Sequence, residues 1–155
     1  FSLASHGFER IFVVNGHGGN IATTKAAFSK VYGTALSRGL STAPNLRCRL
    51  VNWFMAGSVF NEAKKLYGDK EGQHATPSEI ALTLHLEPTL IEKQHKLPAA
   101  APAGPIHGFE DFRKRYPDGR MGSDPFLAHP DHGANLLEKA SEDLSIDLIR
   151  FLDES

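Results

Sequence analysis

Length, composition and charge are those of one soluble globular domain. The chain has 155 residues, of which 41% are hydrophobic and 23% are charged, and both fractions are ordinary for that class. Its 17 basic and 18 acidic residues give a formal net charge of −1, so we expect no nucleic-acid partner. No apolar run approaches the roughly 18 residues that span a bilayer, so we expect no membrane association. Cys48 is the only cysteine, which excludes an intrachain disulfide and is consistent with a reducing, cytoplasmic location.

The first predicted unit is a strand, a glycine-rich loop and a helix. Residues 11–14 form a short, continuous apolar run, which is typical of a buried parallel strand. The run leads into the loop of residues 15–20, which holds three glycines and His17. We expect a helix over residues 21–37, with Asn20 as its N-cap.

Strands and helices continue to alternate along the rest of the chain. A second strand is predicted over residues 46–54, with Trp53 near its end. Residues 96–106 are rich in proline, alanine and glycine, which indicates an extended loop. Apolar residues at helical spacing predict helices over residues 58–67, 76–86, 109–116 and 130–152. The last of these has one apolar stripe, formed by Leu137, Ala140, Leu144, Leu148 and Phe151.

The helix that begins near residue 76 has a well-defined start. Thr76 is suited to the N-cap, Pro77 to the first helical position and Glu79 to the capping-box position. The helix is apolar on most sides, so we expect it to be buried.

This alternation predicts a single layered α/β/α domain over residues 1–155, with a mostly parallel sheet. The first predicted strand begins only ten residues after Phe1, and a parallel strand needs neighbours on both sides. We therefore expect an N-terminal part of the fold to be missing from this chain. Ligands of such sheets bind beyond the carboxyl ends of the strands, which is where the loop of residues 15–20 lies.

His17 is the first candidate for a functional residue. Three glycines surround it in a tight turn at the expected mouth of the sheet, and neutral imidazole is the commonest protein ligand for metals. A glycine turn with an incidental histidine fits the spacing equally well. A phosphate-binding loop is a weaker alternative, because the loop has neither the dinucleotide-binding nor the Walker spacing.

His74 and Glu79 form the second candidate group. His74 precedes the predicted helix cap and Glu79 lies in the first helical turn, so both belong near one helix N-terminus. Residue types alone favour a simpler interpretation, in which Glu79 is a capping-box carboxylate and His74 is an ordinary loop histidine.

Taken together, these segments resemble the creatininase (creatinine amidohydrolase) family. The resemblance lies in the strand followed by Asn-Gly-His-Gly-Gly-Asn at residues 15–20, and in the His-Ala-x-x-x-Glu segment from His74 to Glu79. The closing segment Gly-Ser-Asp-Pro-Phe-Leu-Ala at residues 122–128, followed by a long helix, is also similar to the family. The chain looks like the C-terminal two-thirds of a member.

The resemblance implies a homohexameric hydrolase that uses two divalent ions, such as zinc, manganese or iron, to cleave a non-peptide C–N bond. The substrate would be a small cyclic amide or formamide, attacked by a metal-bound hydroxide. By resemblance, His17 and Glu79 are metal ligands and His74 is the catalytic acid/base. Trp53 resembles an aromatic wall of the substrate site, and Gly18 and Gly19 leave room for substrate and metal beside the backbone.

Two departures from the family pattern bear on this interpretation. Members carry an N-terminal Glu-x-His pair and a bridging Asp, and no such segment precedes His17 here. Creatinine-hydrolysing members have a Glu two residues after the loop histidine, whereas this chain has Gly19, which argues against creatinine as the substrate. The alternatives are a genuine amidohydrolase completed by residues outside this chain, a non-catalytic fragment or degenerate member that retains the oligomeric scaffold, and a nucleotide-binding domain.

Overall fold

A computed structural model describes residues 1–93 and 101–154. The described strands are Arg10–Asn15 (β1) and Arg47–Asn52 (β2), and the described helices are Ser2–Ser5 (α1), Asn20–Ser37 (α2), Gly57–Tyr67 (α3), Pro77–Leu86 (α4), Phe109–Arg115 (α5) and Pro130–Asp153 (α6). Short 3₁₀ helices occupy Trp53–Met55, Gly68–Lys70, Pro88–Lys93 and Pro125–Leu127. The loop predicted over residues 96–106 lies partly outside the described residues, and residues 101–106 have no helix or strand.

The chain divides into two compact units. Unit 1 comprises Phe1–Ala56 together with the described residues from Glu142 onward, and unit 2 comprises Gly57–Ser141. Helix α6 contributes residues to both units. The prediction of a single domain over residues 1–155 stays a prediction.

Unit 1 contains the parallel sheet that the sequence predicts. Strands β1 and β2 pair in parallel, in a register that runs from Arg10 opposite Arg47 to Asn15 opposite Asn52. Helix α2 lies between them in the chain, so the three elements form a strand–helix–strand unit. The carboxyl ends of both strands therefore carry an asparagine, side by side.

Helices cover both faces of this sheet, because neighbouring side chains of a strand point to opposite sides. On one face Ile11 and Cys48 pack against a buried cluster that includes Ala35 of α2. On the other face the ring centroids of Phe12 and Phe151 of α6 lie 5.8 Å apart. Unit 1 thus has the predicted helix–sheet–helix layering.

The opposite face also carries an ion-pair network from β2 to α6. Arg49 donates from Nε and Nη2 to the two carboxylate oxygens of Asp147, at 3.0 Å and 2.5 Å, and from Nη1 to Glu154. A bidentate guanidinium–carboxylate pair of this kind fixes orientation as well as distance. The network therefore fixes the orientation of the unit 1 part of α6 relative to β2.

Unit 2 contains helices α3 to α5 and the first part of α6. Gly133 of α6 meets α4 so closely that a Cβ atom at residue 133 would lie 2.0 Å from the carbonyl oxygen of Ala81. Glycine is therefore required where these two helices touch. An antiparallel bridge between His74 and Met121 joins the segment before α4 to the segment before α6. Within the described residues, no helix has the length and hydrophobicity that crossing a bilayer requires.

Three local predictions are corrected. Strand β2 ends at Asn52, because Trp53–Met55 turns into a 3₁₀ helix. Asn20 is the first residue of α2 and not its N-cap, because Gly19 already has helical dihedrals and takes the cap position; the Asn20 side-chain amide instead donates to Asn15 Oδ1. In α4, Ala81 and Leu84 are buried as predicted, but Leu86 at the helix end is 67% exposed.

The apolar stripe predicted for α6 is only partly right. Ala140 and Phe151 are buried, whereas Leu137 and Leu148 are exposed and Leu136 is fully buried instead. The close approach of Gly133 to α4 decides which face of the first turns is covered. Gly133, Leu136 and Ala140 follow the spacing of three and four residues that one helical face requires.

Candidate active site

The loop that holds His17 is organised by one buried side chain, Asn15, which is 5% exposed. Its Nδ2 donates to the carbonyl oxygen of His17 and to Oδ1 of Asn52, each at 2.7 Å. Its Oδ1 accepts from the backbone N–H of His17 and from Nδ2 of Asn20, each at 3.2 Å. All the donors and acceptors of this amide are therefore used, and the backbone of His17 is held from both sides.

The His17 side chain itself is exposed, and its ring lies against Gly19. A Cβ atom at residue 19 would lie 2.7 Å from His17 Nε2 and 3.1 Å from Cδ2. A Cβ atom at Gly18 would meet nothing within 4 Å. The loop therefore presents an accessible imidazole at the carboxyl end of β1, and its position depends on residue 19.

Trp53 lies directly after β2, in the 3₁₀ helix Trp53–Met55. Its ring is half-buried and makes an edge-on contact with Phe54, with a centroid distance of 6.1 Å. Since β1 and β2 are parallel, Trp53 and the His17 loop both follow carboxyl strand ends of the same sheet. The structure thus brings the unit 1 candidates to one edge, as the sequence predicts.

In unit 2, the backbone of His74 is fixed and its ring is exposed. The carbonyl oxygen of His74 accepts a 2.5 Å hydrogen bond from Ser123 Oγ, and Met121 bridges the same segment. The ring makes an edge-on contact with Phe112, with a centroid distance of 6.3 Å. The imidazole is thus oriented on one side and open to solvent.

The residue after His74 has an unusual backbone conformation. Ala75 has a φ of +52°, and it is the one non-glycine residue with positive φ among the described residues. Such conformations cost about 1–2 kcal/mol for residues with a Cβ atom. Such strained residues concentrate at functional sites, so the strain at Ala75 marks the segment around His74 as a candidate functional segment.

Glu79 forms the capping box that its position predicts. Its Oε2 accepts from the backbone N–H of Thr76 at 3.1 Å, while the Thr76 hydroxyl accepts from the N–H of Glu79 at 3.2 Å. Thr76 Oγ1 also donates to Oε2, at 3.0 Å. In the described part of the chain no hydrogen bond reaches Oε1 of Glu79. Capping therefore occupies one oxygen and leaves the other available.

Residues 1–148 match the Creatininase family, which is described as creatinine amidohydrolase. The chain belongs to the creatininase family. No match was found among curated proteins.

Solved creatininases have the same fold as this chain. A structure of creatinine amidohydrolase matches over 99% of this chain and 60% of its own, with a TM-score of 0.77 and 20% identity. A manganese creatininase matches over 96% and 58%, with a TM-score of 0.73 and 22% identity. A creatininase mutant complexed with creatine matches over 99% and 60%, with a TM-score of 0.77 and 19% identity. The chain therefore spans about three-fifths of the length of these relatives.

The described residues of this creatininase-family chain do not form a complete metal site by themselves. In residues 1–93 and 101–154, no group of three or more His, Cys, Asp or Glu side chains is placed to hold a metal ion. Catalytic sites of zinc enzymes use three protein ligands as a rule. His17, in unit 1, and Glu79, in unit 2, have suitable donor atoms, and their assignment as ligands stays a prediction.

Sequence reasoning missed the polar residues that support the candidates. The pair of Asn15 and Asn52 was missed because the strands were predicted to end at residues 14 and 54, whereas the observed parallel strands both end in asparagine. Glu71 had no sequence signal: its Oε1 accepts a short hydrogen bond from Ser78 Oγ, and its buried Oε2 has no partner among the described residues. Burial raises the pKa of the Glu71 carboxyl, and the hydrogen bond from Ser78 opposes that effect.

Proposed function

We propose that this creatininase-family chain is part of a metal-dependent amidohydrolase that cleaves a non-peptide C–N bond of a small cyclic amide or formamide. The observation that carries the proposal is the His17 loop. It presents an exposed imidazole at the carboxyl end of a parallel strand, on a backbone that buried Asn15 fixes. Family membership supplies the reaction class.

His17 and Glu79 are the residues that we propose as metal ligands. Solved relatives include a manganese creatininase and a creatininase of the Zn–Zn type, so zinc and manganese are the first ions to test, with iron as a further candidate. Glu79 can cap α4 and still offer Oε1 to an ion. The proposal requires further ligands besides the described residues, because no three of these converge.

His74 is proposed as the acid/base residue that delivers a proton to the leaving nitrogen. Its ring is exposed, and its edge contact with Phe112 and its bridged backbone favour one orientation. Histidine side chains exchange protons near neutral pH, which this role requires. A positioned base or acid of this kind contributes about 10²–10⁴-fold to the rate.

Trp53 and Gly18 are the proposed substrate contacts. Trp53 offers a half-buried aromatic surface, and Gly18 leaves open space beside the backbone of the His17 loop. Gly19 is different, because the His17 ring already fills the space beside it. A relative is described as a complex with creatine, so creatinine belongs in a substrate panel, although we expect other cyclic amides to be preferred.

The test is hydrolysis of a panel of small cyclic amides and formamides by the purified protein, with Zn²⁺, Mn²⁺ or Fe²⁺ added. We expect His74→Asn to lower kcat by about 10²-fold or more, without loss of metal. Glu79→Gln keeps the capping box, since glutamine serves at that position as well, so it should remove activity but not stability. His107→Ala, on an exposed loop residue, is the control and should leave activity unchanged. Variants without effect at His74 and Glu79 would overturn the role assignments.

A non-catalytic family member is the second candidate, and the lack of three converging ligands in the described residues favours it. It predicts no turnover with any of the three ions and no metal dependence of stability. The proposed homo-oligomeric state and cytoplasmic location stay predictions of the sequence.

A further inference from the structure

A chain of polar contacts joins the carboxyl of Glu71 to the carboxyl of Glu79. Oε1 of Glu71 contacts Oγ of Ser78, which lies 3.0 Å from Oγ1 of Thr76. Oγ1 of Thr76 in turn lies 3.0 Å from Oε2 of Glu79. Both hydroxyl residues are buried at the start of α4. Four oxygen atoms therefore form three successive contacts at hydrogen-bond distance.

These three contacts need one proton more than the two hydroxyl groups supply. Each hydrogen bond between two oxygen atoms contains one proton, and each hydroxyl carries only one. If both carboxyl groups were ionised, one pair of oxygen atoms would face each other without a proton between them. A proton on one carboxyl completes the chain, which then runs in one direction and ends on the other carboxyl as an acceptor.

The surroundings of the two carboxyl groups decide which of them holds this proton. Oε2 of Glu71 is fully buried and has no partner among the described residues, whereas Oε1 of Glu79 is not enclosed in this way. Oε2 of Glu79 also accepts from the backbone N–H of Thr76, which stabilises a negative charge. None of the ion pairs of the described residues includes Glu71. An ionised Glu71 would thus bury a charged oxygen without a partner, which is costly.

Burial and neighbouring charge outweigh the hydrogen bonds that favour an ionised Glu71. Burial is the largest cause that raises the pKa of this carboxyl, and the charge of Glu79 on α4 adds to it, while hydrogen bonds from the two hydroxyl residues oppose both. Tyr67 of α3 is the other titratable group that interacts with Glu71, and its hydroxyl lies 3.1 Å from His132 Nδ1 of α6. Burial and then the charge of Glu71 raise the pKa of Tyr67, so this neighbour supplies no positive charge.

We propose that Glu71 is a neutral carboxylic acid in the folded chain and acts as a positioning residue for Glu79. Its proton is donated to Oγ of Ser78, so both hydroxyl groups of the chain donate in the direction of Glu79. The hydroxyl and the backbone N–H of Thr76 then hold Oε2 of Glu79, and Oε1 stays free for an ion. The consequence for metal binding rests on the proposed function, in which Glu79 is a ligand.

The proton is detected by NMR on metal-free protein in which glutamate is labelled with ¹³C at Cδ. At a pH at which exposed glutamates are ionised, we expect one Cδ resonance of the parent at the position of a neutral carboxylic acid. Glu71→Gln should remove this resonance. The control Glu62→Gln should leave it, since Glu62 forms ion pairs with Lys65 and Lys139. A spectrum without a neutral-acid resonance, or one that keeps it in Glu71→Gln, would overturn the proposal.

The pH dependence of stability gives a second readout. A proton that Glu71 keeps in the folded state and loses in the unfolded state makes the parent lose stability as the pH rises between the two pKa values. Glu71→Gln removes this loss, so its melting temperature should rise relative to that of the parent by a few degrees between about pH 4 and about pH 7. Glu62→Gln should show no such rise. A relative fall for Glu71→Gln over the same range would contradict a neutral Glu71.

Zn²⁺ binding, measured by calorimetry, connects the proton of Glu71 to the proposed function. Glutamine donates to Ser78 as a neutral acid does, so Glu71→Gln should bind within about twofold of the parent. Glu71→Met has a similar shape but no donor, and it should weaken binding by about tenfold. Equal binding by Glu71→Met and the parent would overturn the positioning role. If Glu79→Gln bound like the parent, the ligand assignment in the proposed function would fall, and the Cδ resonance would still decide whether Glu71 is neutral.

Discussion

Replacing Asn15 by aspartate tests whether one buried amide organises the candidate site. The substitution keeps the shape of the side chain but exchanges the donor Nδ2 for a second oxygen. Nδ2 is the atom that donates to the carbonyl oxygen of His17 and to Oδ1 of Asn52. In Asn15→Asp both hydrogen bonds are lost, and two acceptors face a carboxylate at a position that is 5% exposed in the parent.

The expected cost follows from these contacts. Each neutral hydrogen bond contributes about 1 kcal/mol, so two lost bonds lower the free energy of unfolding by about 2 kcal/mol. Burial of a charged carboxylate adds to this cost, and the hydrogen bonds that its other oxygen still accepts from the N–H of His17 and from Nδ2 of Asn20 offset part of it. Two effects limit the loss. The part-buried carbonyl oxygen of His17 lies in an exposed loop and can accept from water instead, and the side-chain amide of Asn52 can rotate to donate to the new carboxylate. We expect a destabilisation of about 2–3 kcal/mol at neutral pH.

The cost should depend on pH in a defined direction. Burial raises the pKa of the carboxyl introduced by Asn15→Asp above its value in the unfolded chain. The folded state then binds more protons than the unfolded state between these two pKa values, so stability falls as the pH rises through this window. The destabilisation should therefore be largest at neutral pH and smaller below about pH 4, where an aspartate is protonated in the unfolded chain as well.

Urea unfolding at several pH values is the assay, and Asn52→Asp is the matched control. It introduces the same charge at the register partner of Asn15, but it leaves an oxygen to accept from Asn15 Nδ2. Asn52→Asp should cost less than about 1 kcal/mol, since no hydrogen bond to Asn15 is lost. Equal losses for the two variants, or no loss for Asn15→Asp, would refute the assignment of Asn15 as the organising residue.

Three further predictions concern stability. Gly133→Ala should destabilise unit 2 by about 3 kcal/mol, because its Cβ would overlap the backbone of α4. The control Gly33→Ala lies in open space within α2 and should stabilise by about 0.5–1 kcal/mol. Equal effects of the two substitutions in urea unfolding would contradict the close contact between α6 and α4. Ala75→Gly should raise the melting temperature slightly, because relief of a positive φ that costs about 1–2 kcal/mol exceeds the roughly 0.5–1 kcal/mol that glycine costs through the unfolded state; a lower melting temperature would be incompatible with strain. The guanidinium of Arg120 holds the pKa of Asp118 below its usual value, so Asp118→Asn should lower the free energy of unfolding by about 1 kcal/mol at neutral pH. The stability difference between the variant and the parent should vanish as the pH falls through the lowered pKa. A stability difference that persists in acid would exclude the ion pair as its cause.

Elements with a strong local signal were predictable from the sequence. The apolar run before the His17 loop predicted β1, and Thr76 with Pro77 and Glu79 predicted the start of α4 with its capping box. In these cases the hydrogen-bonding partners lie within a few residues of one another. Periodicity and local chemistry were then sufficient.

Features that depend on distant partners were not predictable in the same way. The buried face of α6 is decided by the contact of Gly133 with α4, which no spacing within α6 reveals. The carboxyl of Glu71 meets Ser78 only because the intervening chain folds back. Asn20 was mispredicted for a different reason: its partner Asn15 is only five residues away, but their hydrogen bond depends on the conformation of the loop between them.

For the candidate site, sequence patterns located the residues but not their supports. His17, His74 and Glu79 were singled out by their motifs, and Trp53 by its resemblance to an aromatic wall near the end of the second predicted strand. The structural features around these residues are the pairing register of β1 and β2, the position of the His17 ring over Gly19 and the positive φ of Ala75. Each of these is a three-dimensional relation, and residue types alone leave it open.

The most direct test of the central claim is the divalent metal content per chain of the purified, dialysed protein, measured by elemental mass spectrometry. The proposed amidohydrolase predicts close to two ions per chain, with marked loss in His17→Ala and in Glu79→Gln and no loss in His107→Ala. Essentially no bound metal, or a content that the three substitutions leave equal, would contradict the claim and favour a non-catalytic member of the family.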